Sequence, residues 1–524
     1  MKLKEKFFLP SLADMLFLSI FLYLCISKGT ELLGDCDTGY HIRAGEWILD
    51  KFTIPRHDIF SFHTPPIPWT AHEWLSEVIM ALIHSAFGLT GLAIFFAGIL
   101  ALVSLLLFRM LRKYGDNIFL AVFLVLLATI SSQIHWLARP HVFSLLLFLV
   151  WFWILEDYRL RGTNRLYLLP PILLLWVNLH GGYLAGFMFL GIYLAGELPD
   201  CFSQNSEKRI VARQRLKTLS ITTAICVPVS CINPYGYHIL LFPFNLVSNK
   251  LIMDSIVEFL SPNFHEPSPF KYLLLGLVAI LALSRERLRL VELLLLLVFL
   301  NMTLYSVRYI PLFAIVSTPI LMRHTDILLK TSRGKLATLF TKKSYNITAI
   351  DASSGGIMWP IAAFIVVGWL VATGIISYGF NPKKKPVAAV KFIEKVNIPG
   401  NMFNNDEFGD YVIYAAWPRY KVFFDGRSDM YGSKRLKEYM QITNFEDGWE
   451  KTLGKYRINW IFFNTGTRLT RFLKERNDWV LIYQDKVASI FIRNIEANRI
   501  IIDRFSKKRD TAGSLVLYSE ENLD

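Results

Sequence analysis

Apolar residues in this chain come in long runs broken by short basic or polar segments. Two examples are LTGLAIFFAGILALVSLLLF (89–108) and IMWPIAAFIVVGWLVATGII (357–376). A bilayer core takes roughly 20 apolar residues per helix. On that rule the pattern predicts about eleven spans, near 10–29, 88–109, 117–135, 142–158, 166–180, 183–199, 217–233, 269–284, 289–305, 309–323 and 357–378. The basic start MKLKEK precedes an apolar stretch that is long for a signal peptide and has no small-x-small cleavage site, so it reads as a retained first helix. The expected fold class is an α-helical polytopic membrane protein. Beyond residue 386 the runs shorten and alternate, which predicts a small α/β domain.

Charge fixes the orientation of this pattern. The formal net charge is +14, a value that elsewhere suggests nucleic acid. Here the basic residues sit in short loops: Lys2/Lys4/Lys6, Arg109/Arg112/Lys113, Arg159/Arg161/Arg165, Lys208 through Lys217, Arg285/Arg287/Arg289, and Arg323 through Lys343. Placing these in the cytoplasm makes every second loop cytoplasmic, as the positive-inside rule requires, and leaves no reason to invoke nucleic acid. The five cysteines form no CxxC pair and no zinc spacing. Cys36 and Cys231 fall on the same outer side, which leaves a bridge between them open.

The loops assigned to the outside carry the chemistry. The first, about 30–87, holds GDCDTGYHIRAGEWIL and PRHDIFSFHTPPIPWTAHEW. The others hold HWLARPH, NLHGGY, CINPYGYH through SPNFHEPSPF, and LYSVRY. Helix centres are nearly free of Asp, Glu, Lys and Arg, whereas a transporter places such groups near the midplane. Polar residues converging on one side suit an active site there. From Asp37 the first loop turns helical, with Tyr40, Ala44, Trp47 and Ile48 on an apolar face and Asp37 and His41 four apart on one side. A second short helix is predicted near Thr70, with His72, Glu73 and Glu77 in its first turns. The proline-rich stretch between them predicts no regular structure.

The topology, the Asp35-x-Asp37 pair just after the first apolar run, and the set ARPH, WVNLHGG, NPYG and VRY resemble the GT-C superfamily of membrane glycosyltransferases. Nearest in kind are bacterial protein O-mannosyltransferases and the lipid A aminoarabinose transferase. The resemblance implies a multi-pass protein of the bacterial inner membrane, with its C-terminal domain extracytoplasmic. It also implies transfer of a sugar from a polyprenyl-phosphate-linked donor lipid to an extracytoplasmic glycan, lipid or protein acceptor, with inversion. Such transfer needs a base for the acceptor hydroxyl and donors for the leaving phosphate. Asp37 and Asp35 are the catalytic candidates. His41, His72, Glu73, Arg139, His141, Asn178, His180, Asn233 and Arg308 are the substrate-binding candidates, with Arg139 and Arg308 placed at helix ends for phosphate. Two acids one residue apart also suit Mg2+ or Mn2+.

Each of these residues also has a structural reading. Asp35 or Asp37 can cap the helix. His41 can be a satisfied interfacial histidine, and Glu73 can stabilise a helix N-terminus. The two arginines can snorkel to headgroups, and NLHGG and NPYG can be tight turns. The alternative functions are a non-catalytic glycolipid-binding assembly partner, or a glycolipid transporter or flippase, on the same scaffold.

The expected domains are 1–380 (membrane domain with catalytic first loop 30–87), 386–496 (α/β domain) and 497–524 (polar tail). In the α/β part, PVAAVKFIEKV, GSKRLKEYMQITNF and RLTRFLKER read as helices. DYVIYAA, YKVFFDG, INWIFFN, WVLIYQD and ASIFIRN read as strands. Asp425–Arg427 reads either as part of the site or as a turn holding a salt bridge. The topology makes a direct prediction: a cysteine introduced at Ser268 reacts with an impermeant maleimide added outside, and one at Ser332 does not. Labelling of both from one side would contradict the helix count.

Overall fold

The computed structural model describes residues 9–332, 334–352, 354 and 358–506. Lys2, Lys4, Lys6 and the tail beyond 506 lie outside them. Two compact units emerge. One comprises the chain through Leu32, Thr90–Asn245 and Met253–Ser377; the other comprises Leu33–Leu89, Leu246–Ile252 and the chain from Tyr378 onward. Composition had divided the chain at 380, whereas compactness groups the first loop with the C-terminal part.

The first unit is a helical bundle. A helix occurs at every predicted span, among them Leu12–Ser27, Ile118–Ser131, His141–Arg161, Leu184–Glu197, Pro269–Leu283, Leu290–Tyr305 and Met358–Ala372. Among the described residues four helices are long and apolar enough to cross a membrane and seven more are shorter apolar helices of 10–17 residues; Ser206–Ser230, at the predicted span 217–233, falls in neither group. Three differences from the expectation stand out. The basic segment Lys208–Lys217 lies inside one helix, Ser206–Ser230, started by the Asn205 side chain. The basic segment 323–343 is largely helical, in Ile310–Thr331 and Lys335–Asp351. His238–Ser248 is a further apolar helix with a proline inside it. Charges near helix ends are paired. Arg159 forks onto Glu156 at 2.6 and 2.6 Å, and Arg323 reaches Glu292 at 2.6 Å. Tyr114 and Tyr193 donate to Glu156. Buried charges need such partners.

The second unit has a four-stranded sheet in the order β1 (Asn401–Asn404), β2 (Ile458–Asn464), β4 (Ala488–Arg493), β3 (Trp479–Gln484). Its β1–β2 pair is parallel and the other two pairs are antiparallel. INWIFFN, WVLIYQD and ASIFIRN are thus strands. DYVIYAA is not: Asp406–Ala416 is a helix, with Asn405 accepting the Phe408 N–H at its start. Phe408, Tyr411, Val412 and Ala416 are buried at helical spacing, and β-propensity yields to that periodicity. YKVFFDG is not a strand either. Val422 makes an isolated bridge to Ser61, and the Asn404 side chain accepts from Phe423 N–H and donates to Phe424 C=O. Arg499–Ser506, within the expected polar tail, is helical.

The first loop belongs to this unit. Asp37–Lys51 is the predicted helix. It lies so close to the Asp406–Ala416 helix that a Cβ on Gly39 would come within 2.7 Å of the Tyr414 Cβ. The second helix starts at Trp74 rather than near Thr70, so His72 and Glu73 lie in the preceding turn. It continues to Leu111 through a kink at Gly88. The proline-rich stretch between the two helices is irregular but fixed. Asp58 N–H donates to Ile67 C=O at 2.7 Å, and His63 Nε2 donates to Phe423 C=O at 2.8 Å.

The strongest tie is a buried ion cluster. Arg427 forks onto Asp425 (Nε–Oδ1 2.8 Å, Nη2–Oδ2 2.6 Å) and reaches Asp58 Oδ1 at 2.8 Å, and Tyr431 donates to Asp425. Trp69 and Phe60 face the guanidinium at 4.6 and 4.9 Å. Asp425–Arg427 is therefore the turn with a salt bridge. Removing one partner of a buried pair costs about 3–5 kcal/mol, because a charge is left uncompensated. Asp58→Ala is expected to lower unfolding stability by that order and to open residues 52–73 to proteolysis in the full-length protein. Wild-type resistance would mean that Asp425 and the aromatic rings hold Arg427 and the stretch without Asp58.

Candidate active site

In the unit that holds the first loop, Asp35 begins the site. Its Oδ1 accepts the Asp37 N–H at 3.0 Å. Cys36, at the N-cap position, makes no side-chain cap. Asp35 thus performs the capping, and Asp37 opens the helix with its carboxylate partly exposed. That carboxylate meets the Asp425–Arg427 turn. A Cβ at Gly426 would sit 2.3 Å from Asp37 Oδ1 and 3.1 Å from Asp410 Oδ2. Only glycine permits this approach, and it brings the two carboxylates within the roughly 4–6 Å over which like charges perturb each other.

Asp410 is buried and accepts Gly426 N–H at 3.1 and 3.2 Å. Burial, then the charges of Asp37 and Asp425, push its carboxyl well above the usual range. Asp58 shows the opposite result. Burial raises it, but Arg427 and hydrogen bonds more than offset that and hold it below the usual range.

His41 is buried, with Nδ1 3.3 Å from Glu77 Oε1 and Nε2 3.8 Å from Glu73 Oε2. His72 Nε2 lies 3.8 Å from Glu73 Oε1. The structure thus gathers His41, His72 and Glu73 and adds Glu77.

The other candidates lie in the helical unit. Arg139 and Arg308 converge on one carboxylate, Glu258, at 3.1 and 4.0 Å. The Ser306 hydroxyl donates to the Glu258 carbonyl at 2.8 Å, and Phe259 lies under Arg308 at 5.4 Å. Burial raises Glu258, but Arg139 and Arg308 outweigh it and keep the acid below the usual range. His135 Nε2 donates to Arg308 C=O at 2.9 Å, and His141 Nε2 donates to His135 C=O at 3.1 Å.

His180 Nδ1 accepts Gly182 N–H at 2.9 Å and the Ser144 hydroxyl at 2.7 Å, which fixes the proton on Nε2. Asn178 donates to Leu174 and Ile232 carbonyls at 2.8 and 3.1 Å. Asn233 donates to Ser230 and Gly236 carbonyls at 2.9 and 3.1 Å. The Asn233 amide clasps a turn, and the Asn178 amide ties the end of its helix to Ile232.

The sequence reading missed Asp410, which was placed in a supposed strand, and Glu258, which sits in a long loop without pattern. Cys36 and Cys231 are both free. Asp35 and Asp37 offer hard oxygen donors of the kind Mg2+ or Mn2+ takes. No group of three or more His, Cys, Asp or Glu side chains placed for a metal occurs among the described residues. A cation there would complete its shell with water and substrate oxygens.

With the site's geometry in place, the fold can be compared with known structures. No family model matches the sequence, and no curated protein matches it significantly. The oligosaccharyltransferase AglB from Archaeoglobus fulgidus, in complex with an inhibitory peptide and a dolichol-phosphate, superimposes with a TM-score of 0.55. The identity is 12%, over 93% of this chain and 74% of that one. A crystal structure of the Archaeoglobus fulgidus oligosaccharyltransferase in the apo form gives 0.56 at 12% identity, over 92% and 74%. ArnT from Cupriavidus metallidurans bound to undecaprenyl phosphate gives 0.47 at 11% identity, over 92% and 98%.

The chain shares its fold with these Archaeoglobus fulgidus oligosaccharyltransferase structures. It is a multi-pass membrane protein with a small C-terminal sheet domain.

Asp410 makes a pH prediction. Its raised folded-state value means that the fold favours the protonated acid. This stabilising contribution is complete below the unfolded value, about 3.9, and is lost as pH rises through the folded value. Asp410→Asn mimics the neutral acid, so its stability relative to wild type is expected to rise between pH 5 and pH 8 in thermal unfolding. A difference constant with pH would show that Asp410 does not titrate differently on folding.

Proposed function

We propose that this protein is a membrane glycosyltransferase that moves a sugar from a polyprenyl-phosphate-linked donor to an extracytoplasmic acceptor, with inversion. The observation that carries the reading is the convergence of Arg139 and Arg308 at one point in a chain that shares its fold with oligosaccharyltransferase structures. One similar structure, that of AglB, holds a dolichol-phosphate, a ligand of the same chemical class as the proposed donor.

In this scheme Asp37 takes the proton of the acceptor hydroxyl. The hydroxyl oxygen attacks the anomeric carbon, and the bond from that carbon to the phosphate oxygen breaks. The electron pair leaves with the phosphate, whose developing charge calls for hydrogen-bond donors or cations. One displacement with one base inverts the centre, so the closely spaced carboxylate pair of a retaining glycosidase is not needed. Asp35 positions Asp37 through its N–H. A divalent cation on Asp35 and Asp37, if the enzyme uses one, would supply further charge for the donor phosphate. The acceptor, the inner membrane and the extracytoplasmic C-terminal domain belong to this proposal.

Asp37→Asn leaves the Asp35 cap in place, so the variant is expected to insert and fold normally. It is expected to lose transfer by a factor of about 100 or more, the order of a general base. Asp35→Asn keeps the capping oxygen and is expected to be milder. Arg308→Lys keeps the charge but loses the fork, at a cost of about 2–4 kcal/mol in transition-state stabilisation. Transfer assays with purified protein and a polyprenyl-phosphate-linked sugar decide the matter. Wild-type rates in Asp37→Asn would remove the catalytic base and favour a non-catalytic glycolipid-binding role.

A further inference from the structure

In the unit that holds the first loop, each buried or half-buried arginine among the described residues meets an oxygen, with one exception. Arg43 meets Glu46, Arg427 meets Asp58 and Asp425, Arg476 meets Asp478, and Arg493 donates to the Ile458 carbonyl. Arg435 is half-buried and meets none: its Nε is enclosed without a hydrogen-bond partner. The acid one turn further on, Glu438, is taken by Lys455 and Tyr456, and Asp58 and Asp425 are taken by Arg427. Lys434 and Lys437, close to Arg435 in sequence, are exposed and form no ion pair among the described residues.

The guanidinium is also held in place. Enclosure of Nε fixes its plane, while both Nη atoms stay open to solvent. The helix that carries it, Ser428–Asn444, follows the Asp425–Arg427 turn directly, and the Ser433 hydroxyl donates to Asn249 Oδ1 at 2.8 Å. The charge of Arg435 reaches His63, as do those of Asp58 and Asp425. His63 in turn donates to the carbonyl of Phe423, just before that turn. Arg435 therefore lies near the turn against which Asp37 rests.

We propose, on the transferase reading given above, that Arg435 seats an oxyanion, a carboxylate or a phosphate ester, carried by the acceptor, so that the acceptor is an acidic molecule. Asp37, the base for the acceptor hydroxyl, belongs to the same unit. An arginine fork grips two oxygens of a carboxylate or phosphate at once, and no carboxylate of the chain occupies this one. Lys434 and Lys437 add positive charge that draws an anion to the same helix. Hydrogen bonds to charged groups are worth about ten- to a hundredfold in binding.

The test uses the full-length protein in phosphatidylcholine nanodiscs at low ionic strength, where exposed charges are least screened. Isothermal titration calorimetry compares three trisaccharide probes, one ending in glucuronic acid, one in glucose 6-phosphate and one in glucose. Wild type is expected to bind at least one acidic probe about tenfold tighter than the neutral one, and the probe that gains identifies the oxyanion. Arg435→Gln is expected to erase that preference with thermal unfolding unchanged. Arg435→Lys, which keeps the charge but loses the fork, is expected to retain only part of it. The proposal is overturned if wild type shows no preference or if Arg435→Gln keeps it. A preference that survives in Arg435→Gln and disappears in Arg308→Gln puts the anion at the other arginines, so that the proposal falls and the donor reading stands. Wild type that keeps the acidic preference but moves no sugar from a polyprenyl-phosphate-linked donor would overturn the transferase reading, and with it the acceptor assignment, while the oxyanion site at Arg435 stands.

Discussion

A guanidinium without contact to water must find carboxylates or be expelled, and Arg427 meets that demand with Asp425 beside it and Asp58 far away in sequence. The consequences run outward from this pair. Asp58 sits in a proline-rich stretch that has no periodic structure to hold it, yet the ion pair and the bridge between Ser61 and Val422 fix it to the C-terminal unit. The two ends of that stretch are the Asp37–Lys51 helix and the helix beginning at Trp74. Fixing the stretch fixes the C-terminal end of the first helix, and the turn that supplies Arg427 also supplies Gly426, against which Asp37 rests. Structural support and candidate chemistry therefore come from the same three residues, Asp425, Gly426 and Arg427.

The helical unit solves a related problem with a different result. Arg427 is enclosed and its charge is consumed by two carboxylates, which suits a strut. Arg139 and Arg308 instead converge on one carboxylate, that of Glu258. Arg159 and Arg323, paired with Glu156 and Glu292 near other helix ends, show that this chain pairs its buried arginines elsewhere. The Glu258 cluster draws its arginines from two of the sequence segments, ARPH and VRY, on which the GT-C resemblance drew.

Much of the helical unit was legible because hydropathy over a bilayer thickness is a strong signal. The Asp37–Lys51 helix was legible from the four-residue recurrence of Tyr40, Ala44 and Ile48. The basic segments were harder. Lys208–Lys217 and 323–343 read as loops because they are charged, yet charge does not oppose helix formation outside the apolar core. DYVIYAA misled because its β-branched and aromatic residues suit a strand, while the cap at Asn405 and the burial of Phe408, Tyr411 and Val412 enforce a helix.

The candidate site was half legible. Asp35, Asp37, Arg139 and Arg308 stand out by type and place. Asp410, Asp58 and Glu258 act through partners tens to hundreds of residues away, and no local pattern marks such pairs. Of two residues singled out in the sequence, Asn233 holds carbonyls in a turn, an ordinary use of asparagine, and Asn178 bonds Leu174 in its own helix and Ile232.

The central claim is that this fold holds a lipid phosphate at its paired arginines. A cryo-electron microscopy map of the full-length protein in nanodiscs with added polyprenyl phosphate tests it most directly. Density for the phosphate between the side chains of Arg139 and Arg308 is the predicted result. Clear lipid-phosphate density at a different set of side chains, with Arg139 and Arg308 still closed on Glu258, would contradict it.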